Sequence, residues 1–384
     1  MKLLVVSHAC VTAVNQSFYV DVQRLSGWDV EIALPSSWRS EYISDLKPSR
    51  WPEFSGRLHP IATWKSGNIP LHVYRSCMVG LLRTVRPDVI YVHHEPYGLA
   101  TAQICLANQL SVRVPIGFYA AQNIRKNYPI PFRWLEQYVM RQSSFCFPVT
   151  QGALDVVRSK GYASLATVLP LALDKSIYYP RPEWALAQRA KMGIADDEFV
   201  FGYLGRLVEE KGLATTLRAM GAIRDRNWRF VLVGSGPYQQ TLISLATSLG
   251  IEDRLVFVGF VPHEDAAGWL SLFDALILAS ESRPNWKEQF GRVIVEANAC
   301  GTPVIGTESG EIGNVLRETS GGLIVPEADP VALSGAMLQL LESPDLAVQL
   351  GSEGAANVRD KFDQQTLAGE FIRTLESAMQ AGGS

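Results

Sequence analysis

Short apolar runs rich in β-branched and aromatic residues alternate with helix-length segments along this chain, and the alternation runs through twice. In the first half the strand candidates are 2–7, 29–34, 88–92, 114–119 and 145–149; in the second they are 199–204, 228–233, 254–258, 274–279, 303–306 and 322–325. Runs that are apolar throughout fit strands buried on both faces, and helix-length spacers between them fit a parallel sheet covered on both sides. The spacing therefore predicts an α/β fold of two doubly wound, Rossmann-like domains. The stretch LALDKSIYYPR, 171–181, is polar, breaks the periodicity and closes on Pro180. It divides an expected domain over 1–175 from a second over 176–363, and 364–384 reads as an amphipathic C-terminal helix. A length of 384 residues with 47% apolar composition suits two sizeable cores.

No apolar run reaches the roughly 18–20 residues that span a bilayer. The opening MKLLVVSHAC loses its apolar character at Ser7 and His8, too early for a signal peptide, and reads as a buried first strand. Five cysteines stand singly, with no CxxC and no Cys/His cluster along the chain. That pattern argues against a disulfide framework and structural zinc, and for buried thiols in a cytoplasmic protein. Residues 1–175 carry 18 Lys and Arg against 11 Asp and Glu, net +7; the remainder carries 17 against 27, net −10. A basic half beside an acidic half points to an anionic partner for the first.

In parallel sheets, ligands bind beyond the carboxyl ends of the strands. The loop after 199–204 reads GRLVEEKG, with Gly205 for a tight turn and Arg206 and Lys211 near a helix start. Cations there oppose the helix dipole but suit a phosphate or diphosphate. The plainer alternative is surface pairing with Glu209 and Glu210. After 228–233 comes GSGPYQQ, where Gly234 begins a broken GxGxxG and Gln239 stands in place of the third glycine. After 274–279 comes SESRPNWKEQFG, which puts Glu288 just before a helix that begins near Gly291 and Glu296 one to two turns inside it. A carboxylate among Val293, Ile294, Val295 and Ala297 needs hydrogen-bond partners such as ribose hydroxyls, unless it finds a narrow solvated face. The chain contains no GxxxxGK[ST] and no DxD. A Walker-type ATPase is therefore disfavoured. A diphosphate site without a short acidic cluster for a divalent metal has to use cations and helix N-termini. No metal ligands are assigned.

GRLVEEKG, GSGP, VGFV at 258–261 and EQFGRVIVEANACGTPVIGTESG, in this order and spacing, resemble the retaining GT-B glycosyltransferases of family four, the glycosyl transferases group 1. Glu288 and Glu296 match the family's E-x7-E pattern. The resemblance is dense from Gly202 to Val325 and thinner before it. It implies a GT-B architecture, two Rossmann-like domains facing across a cleft, with the C-terminal helix crossing back to the first. It also implies roles. Arg206 and Lys211 grip the donor diphosphate, and Glu288 binds a sugar hydroxyl. Amides around Gln289, Phe290 and Gly291 hold sugar and phosphates. Glu296 binds the ribose, and the loop at Val261 meets the base. In the first half HHEPYGLA resembles the family's HEP-like loop, with His94 facing the sugar. Two departures stand out. The loop after the first strand, HACVTAVNQSF, lacks the family's Gly-Gly pair, and GFYAAQNIRK offers Gln122 and Asn123 where a histidine is expected.

The expected activity is sugar transfer with retention from a UDP- or GDP-linked sugar to a glycan or lipid-linked acceptor, with no cofactor beyond the nucleotide sugar. The acceptor belongs to the basic first domain. There Arg125, Lys126, Arg133 and Arg141 interleave with Tyr128, Phe132, Trp134 and Tyr138, and Trp38, Arg39, Lys47, Arg50 and Trp51 form a second such stretch. Such mixtures suit peripheral contact with an anionic membrane, or an ordinary helix with a basic side. Nucleic acid is not an expected partner, given the acidic balance and the absence of a motif. The rival readings are a nucleotide-sugar epimerase or phosphorylase on the same fold, a catalytically silent nucleotide-sugar or glycan binder, and, less well supported, an NAD-linked dehydrogenase.

Overall fold

The computed structural model describes residues 1–39 and 45–382. The chain divides into two compact units, Met1–Ala172 with Gln364–Ser384, and Leu173–Asp363. The first is built on a seven-stranded parallel sheet. Its members are β1 (Lys2–Val6), β2 (Asp29–Pro35), β3 (Leu58–Ile61), β6 (Val89–Val92), β7 (Ile116–Ala120), β8 (Phe145–Pro148) and β9 (Leu165–Ala166), in the order β3-β2-β1-β6-β7-β8-β9. A two-stranded antiparallel hairpin, β4 (Thr63–Trp64) with β5 (Val73–Tyr74), interrupts the series between β3 and β6. The second unit has six parallel strands: β10 (Phe199–Leu204), β11 (Trp228–Val233), β12 (Leu255–Gly259), β13 (Ala275–Leu278), β14 (Val304–Thr307) and β15 (Gly322–Val325), in the order β12-β11-β10-β13-β14-β15.

Counted within each unit without the hairpin, both sheets follow the doubly wound order 3-2-1-4-5-6, extended by β9 in the first. All eleven expected strands are present within one or two residues. The short β3, β4, β5 and β9 were not expected; they are two to four residues long, and β3 carries a proline and a histidine, so no apolar run marks them. The order reverses between β1 and β6 in one sheet and between β10 and β13 in the other. At such switch points the flanking loops diverge and leave a crevice beyond the carboxyl ends.

The first sheet is packed on both faces. On one side Leu82, Ile104, Phe118 and Val139 fill the core; on the other Tyr19, Trp28, Tyr91 and Phe147 do. The helix Gln364–Gly382 joins the second layer through Phe371, Leu375 and Ala378, with Phe371 stacked on Phe147 at 4.8 Å. In the second unit Phe201, Leu217, Trp228, Phe230 and Met337 anchor an apolar cluster. All five cysteines are free; four are buried, and burial pushes the thiols of Cys10, Cys105, Cys146 and Cys300 up to about 12. Cys77 is exposed, contrary to the expectation of buried thiols, because it precedes the helix Met78–Val85 rather than lying on its inner face.

Candidate functional site: two loops at a switch point

The loop after β10 and the loop after β13 flank the switch point of the second unit. The first ends in a short turn, Glu209–Lys211, followed by Gly212 and the helix Leu213–Ala222. Gly212 has φ +66°, and a Cβ there would lie 1.7 Å from the Ala279 carbonyl oxygen. Only glycine lets this loop press against the end of β13. The approach seats the Lys211 ammonium 2.5 Å from Glu288 Oε2. Ser280 Oγ donates to the same carboxylate oxygen at 3.0 Å, and Lys211 Nζ also lies 5.2 Å from the Trp286 ring centre. Both charged side chains are about 15% exposed, 15% for Lys211 and 14% for Glu288. The pair is therefore shielded enough to be strong yet still open on one side.

Glu288 sits before the helix Arg292–Ala299, whose N-terminal residue is capped by Gly291 in the left-handed region, φ +76°. Phe290 is buried and tucks toward Phe362, whereas Gln289 is exposed. The loop after β14 closes from behind: Glu311 N donates to the Glu288 carbonyl at 3.1 Å. Arg206 lies in the β10 loop, with its guanidinium 3.9 Å from Glu210, and its carbonyl accepts from the Tyr203 hydroxyl at 2.6 Å. The surface pairing considered from sequence thus holds in part for Arg206 and not for Lys211. Gly234, at the end of β11, donates its N–H to Gly259 O at 2.8 Å, which joins that loop to the end of β12 and so to the half-buried Val261.

Glu296 is 5% exposed, on the inner face of its helix. Arg292 Nε meets its Oε1 at 2.9 Å, one turn back. Tyr178, whose hydroxyl lies 2.9 Å from His263 Nε2, shares this corner. Burial first and then the Glu296 charge push the Tyr178 phenol up, and burial holds His263 below its ordinary value against the pull of Glu296. His263 therefore stays neutral near pH 7. Sequence reading missed Ser280, Trp286, Tyr178 and His263. Ser280 and Trp286 lie inside the quoted loop and His263 two residues beyond Val261, so position relative to strand ends was the available signal.

In the first unit the expected residues are set differently. His94 is only 2% exposed, with Nδ1 2.7 Å from His8 Nδ1 and Nε2 3.2 Å from the Tyr74 hydroxyl. This imidazole, expected to face a sugar, is buried and meets the Tyr74 hydroxyl of the β5 strand. Gln122 is buried, its Oε1 accepting from Ile124 N at 3.3 Å; Asn123 and Lys126 are half-buried and Arg125 is exposed. Of the aromatic and basic stretches, Trp134 and Ile130 stand 64% and 62% exposed beside the exposed Arg125 and Arg133. Trp38 and Trp51 instead pack into the core, which corrects the second stretch. Residues 40–44 of that stretch lie outside the described residues.

Residues 186–357, which lie within the second unit, match the family model of Glycosyl transferases group 1. The chain is 28% identical over 200 residues to the N-acetyl-alpha-D-glucosaminyl L-malate synthase of Bacillus anthracis, covering 52% of this chain and 50% of that protein. It is 31% identical over 215 residues to a GDP-mannose-dependent monoacylated alpha-(1-6)-phosphatidylinositol monomannoside mannosyltransferase of Corynebacterium glutamicum, covering 54% and 55%. The chain spans about half the length of the curated relatives it matches. Among solved structures, Anabaena Alr3699/HepE in complex with UDP-glucose aligns with a TM-score of 0.78 at 19% identity, over 98% of this chain and 100% of that one. Sucrose-phosphate synthase from Thermosynechococcus elongatus aligns at 0.75 and 20%, again over 98% and 100%. The fold, shared with these structures, is the two-Rossmann GT-B fold.

Proposed function

We propose that the chain transfers a sugar, with retention of configuration, from a nucleotide sugar to a glycan or lipid-linked acceptor. The observation that carries this reading is the Lys211–Glu288 pair at 2.5 Å, held between the β10 and β13 loops beside the N-terminus of the helix Arg292–Ala299. Leaving-group departure puts charge on a diphosphate. Arg206, Lys211 and the helix N-terminus are fixed donors for that charge, and such preorganised groups need no rearrangement during reaction. Glu288 accepts from a sugar hydroxyl, and Glu296, with Tyr178 and His263 around it, binds the ribose. The bond from the anomeric carbon to the diphosphate oxygen breaks while the acceptor oxygen bonds to that carbon on the same face. The acceptor proton passes to the departing phosphate oxygen. No enzyme nucleophile or general base is assigned, and no metal is assigned to the diphosphate.

A UDP-glucose-bound neighbour and GDP-mannose-dependent relatives favour a UDP- or GDP-sugar as donor. The exposed Trp134 and Ile130 among basic residues support a lipid-linked acceptor met at an anionic membrane surface. The contact in this reading is peripheral; among the described residues no helix is long and apolar enough to cross a membrane. The test is nucleotide release from UDP-, GDP- and ADP-sugars with membrane extract as acceptor. Release from one donor, lost in Lys211→Ala and Glu288→Ala, is the expected result. Saturable binding without release in any extract moves the reading to a silent binder, and conversion of the donor without acceptor moves it to an epimerase. Absence of nucleotide-sugar binding overturns the donor site.

A further inference from the structure

The switch point of the first unit gathers three histidines that lie far apart in the sequence. His8 follows β1, His94 follows β6 and His72 immediately precedes β5. One ring nitrogen from each lies within 4.8 Å of the others, and the rings crowd at centroid separations of 4.7–5.7 Å. His72 is fully buried. Its Nδ1 lies 3.0 Å from the Ile69 carbonyl oxygen and 3.3 Å from that of Asn68, so Nδ1 carries the hydrogen and donates it. Nε2 is then a bare lone pair, and this buried atom has no hydrogen-bond partner. An unpartnered acceptor in a core is costly and calls for an explanation.

His94 and His8 add to the anomaly. Their Nδ1 atoms stand 2.7 Å apart, which two lone pairs cannot tolerate; one must carry a hydrogen for the other, or both must point at a cation. The Tyr74 hydroxyl at 3.2 Å from His94 Nε2 supplies the outer partner that orients a ligating imidazole, as the Ile69 carbonyl does for His72. Burial holds all three rings below their ordinary value, and repulsion from neighbouring histidines adds to this for His8 and His94, so each favours the neutral form that binds metal.

We propose that His8, His72 and His94 form a divalent metal site selective for zinc, ligated through His8 Nδ1, His72 Nε2 and His94 Nδ1. Three imidazoles and no carboxylate suit zinc better than magnesium or calcium, and leave one tetrahedral position for water or a substrate oxygen. Zinc–nitrogen bonds of about 2.0–2.1 Å put tetrahedral ligands about 3.4 Å apart, so the His8–His94 contact opens by about 0.7 Å and His72 closes in. The proton shared between the two Nδ1 atoms moves to an outer Nε2, and none is released. Trp38 walls the site, 4.8 Å from the His8 ring and 5.0 Å from that of His72. The metal lies in the first unit and takes no part in holding the diphosphate.

The test is metal binding by the full chain after chelation, read by zinc content and by the absorption of the cobalt(II) form. One zinc per chain and a tetrahedral cobalt spectrum are expected. Tyr74→Phe should weaken binding by about 10–100-fold, as loss of an outer partner does, and His72→Ala and His94→Ala by more. His59→Ala, which removes a histidine paired with Glu31 elsewhere in the unit, should bind as the parent does. Equal binding by His72→Ala overturns the assignment. If the ligand variants do not fold, the unaltered chain decides: an octahedral cobalt spectrum, or no uptake, overturns the proposal.

Discussion

The two sheets share one strand order yet place opposite chemistry at their switch points. In the second unit the crevice between the β10 and β13 loops holds an ion pair, Lys211 with Glu288, each about one-seventh exposed and joined by Ser280 and Trp286. In the first, the corresponding loops after β1 and β6 bring together neutral imidazoles, shut in by Tyr74 and Trp38. A third site sharpens the contrast. Lys160 and Glu136 form another lysine–carboxylate pair, at 2.6 Å and only 8% and 6% exposed, with the ammonium 4.7 Å from the Tyr128 ring centre. Like the Lys211 pair, it joins an ammonium to a carboxylate beside an aromatic ring. It differs in the elements that carry it: Glu136 lies on the helix Phe132–Gln142 and Lys160 just past the helix Gln151–Ser159, neither on a loop that leaves β1 or β6. Placement on the loops that leave the strands at the order reversal, rather than the pair itself, separates a candidate catalytic group from a structural one.

The largest expected effect breaks the structural pair. Lys160→Ala leaves a buried carboxylate without its cation and should cost about 3–5 kcal/mol of stability, read as a fall in urea midpoint, with turnover per folded molecule unchanged. Lys211→Ala should do the reverse. Loss of a preorganised donor to the leaving group lowers kcat by about 10²–10³-fold, and the urea midpoint should move less than in Lys160→Ala. If Lys160→Ala also abolished turnover per folded molecule, the distinction by place would fail.

A pH series sharpens the same comparison. Burial holds the Glu136 carboxyl above its ordinary value, against the opposing pull of Lys160. The folded state therefore binds a proton that the unfolded state has released. Stability falls as pH rises from the ordinary carboxylate value through the raised one. Glu136→Gln should remove that slope from the difference between the two urea profiles; an unchanged slope would place the titration elsewhere. The smallest expected effect on stability is at the surface. Trp134→Ala with Ile130→Ala should leave the urea midpoint within about 0.5 kcal/mol of the parent, as exposed substitutions do, and should weaken co-sedimentation with anionic vesicles.

The second unit was legible in the sequence almost entire. Its six strands are continuous apolar runs separated by single helices, and its site loops follow those strands directly, so Lys211, Glu288 and Glu296 could be placed from one-dimensional order alone. The first unit was less so. Its β3, β5 and β9 are too short to give a hydrophobic period, and its hairpin falls in a stretch without alternation. Trp38 and Trp51 have the composition of a membrane-facing stretch, yet they pack into a core whose shape only the folded sheet defines.

What the sequence determined by itself was the local and the repetitive: where strands lie, that there are two sheets, and which loops leave their carboxyl ends. Burial of apolar runs is encoded residue by residue, so it can be read in order. Only the tertiary structure decided which cation meets Glu288, that His94 is enclosed rather than open, and that His8 and His72 join it. Those contacts depend on strand order and loop closure between residues distant in the chain, and no spacing rule along the chain records them.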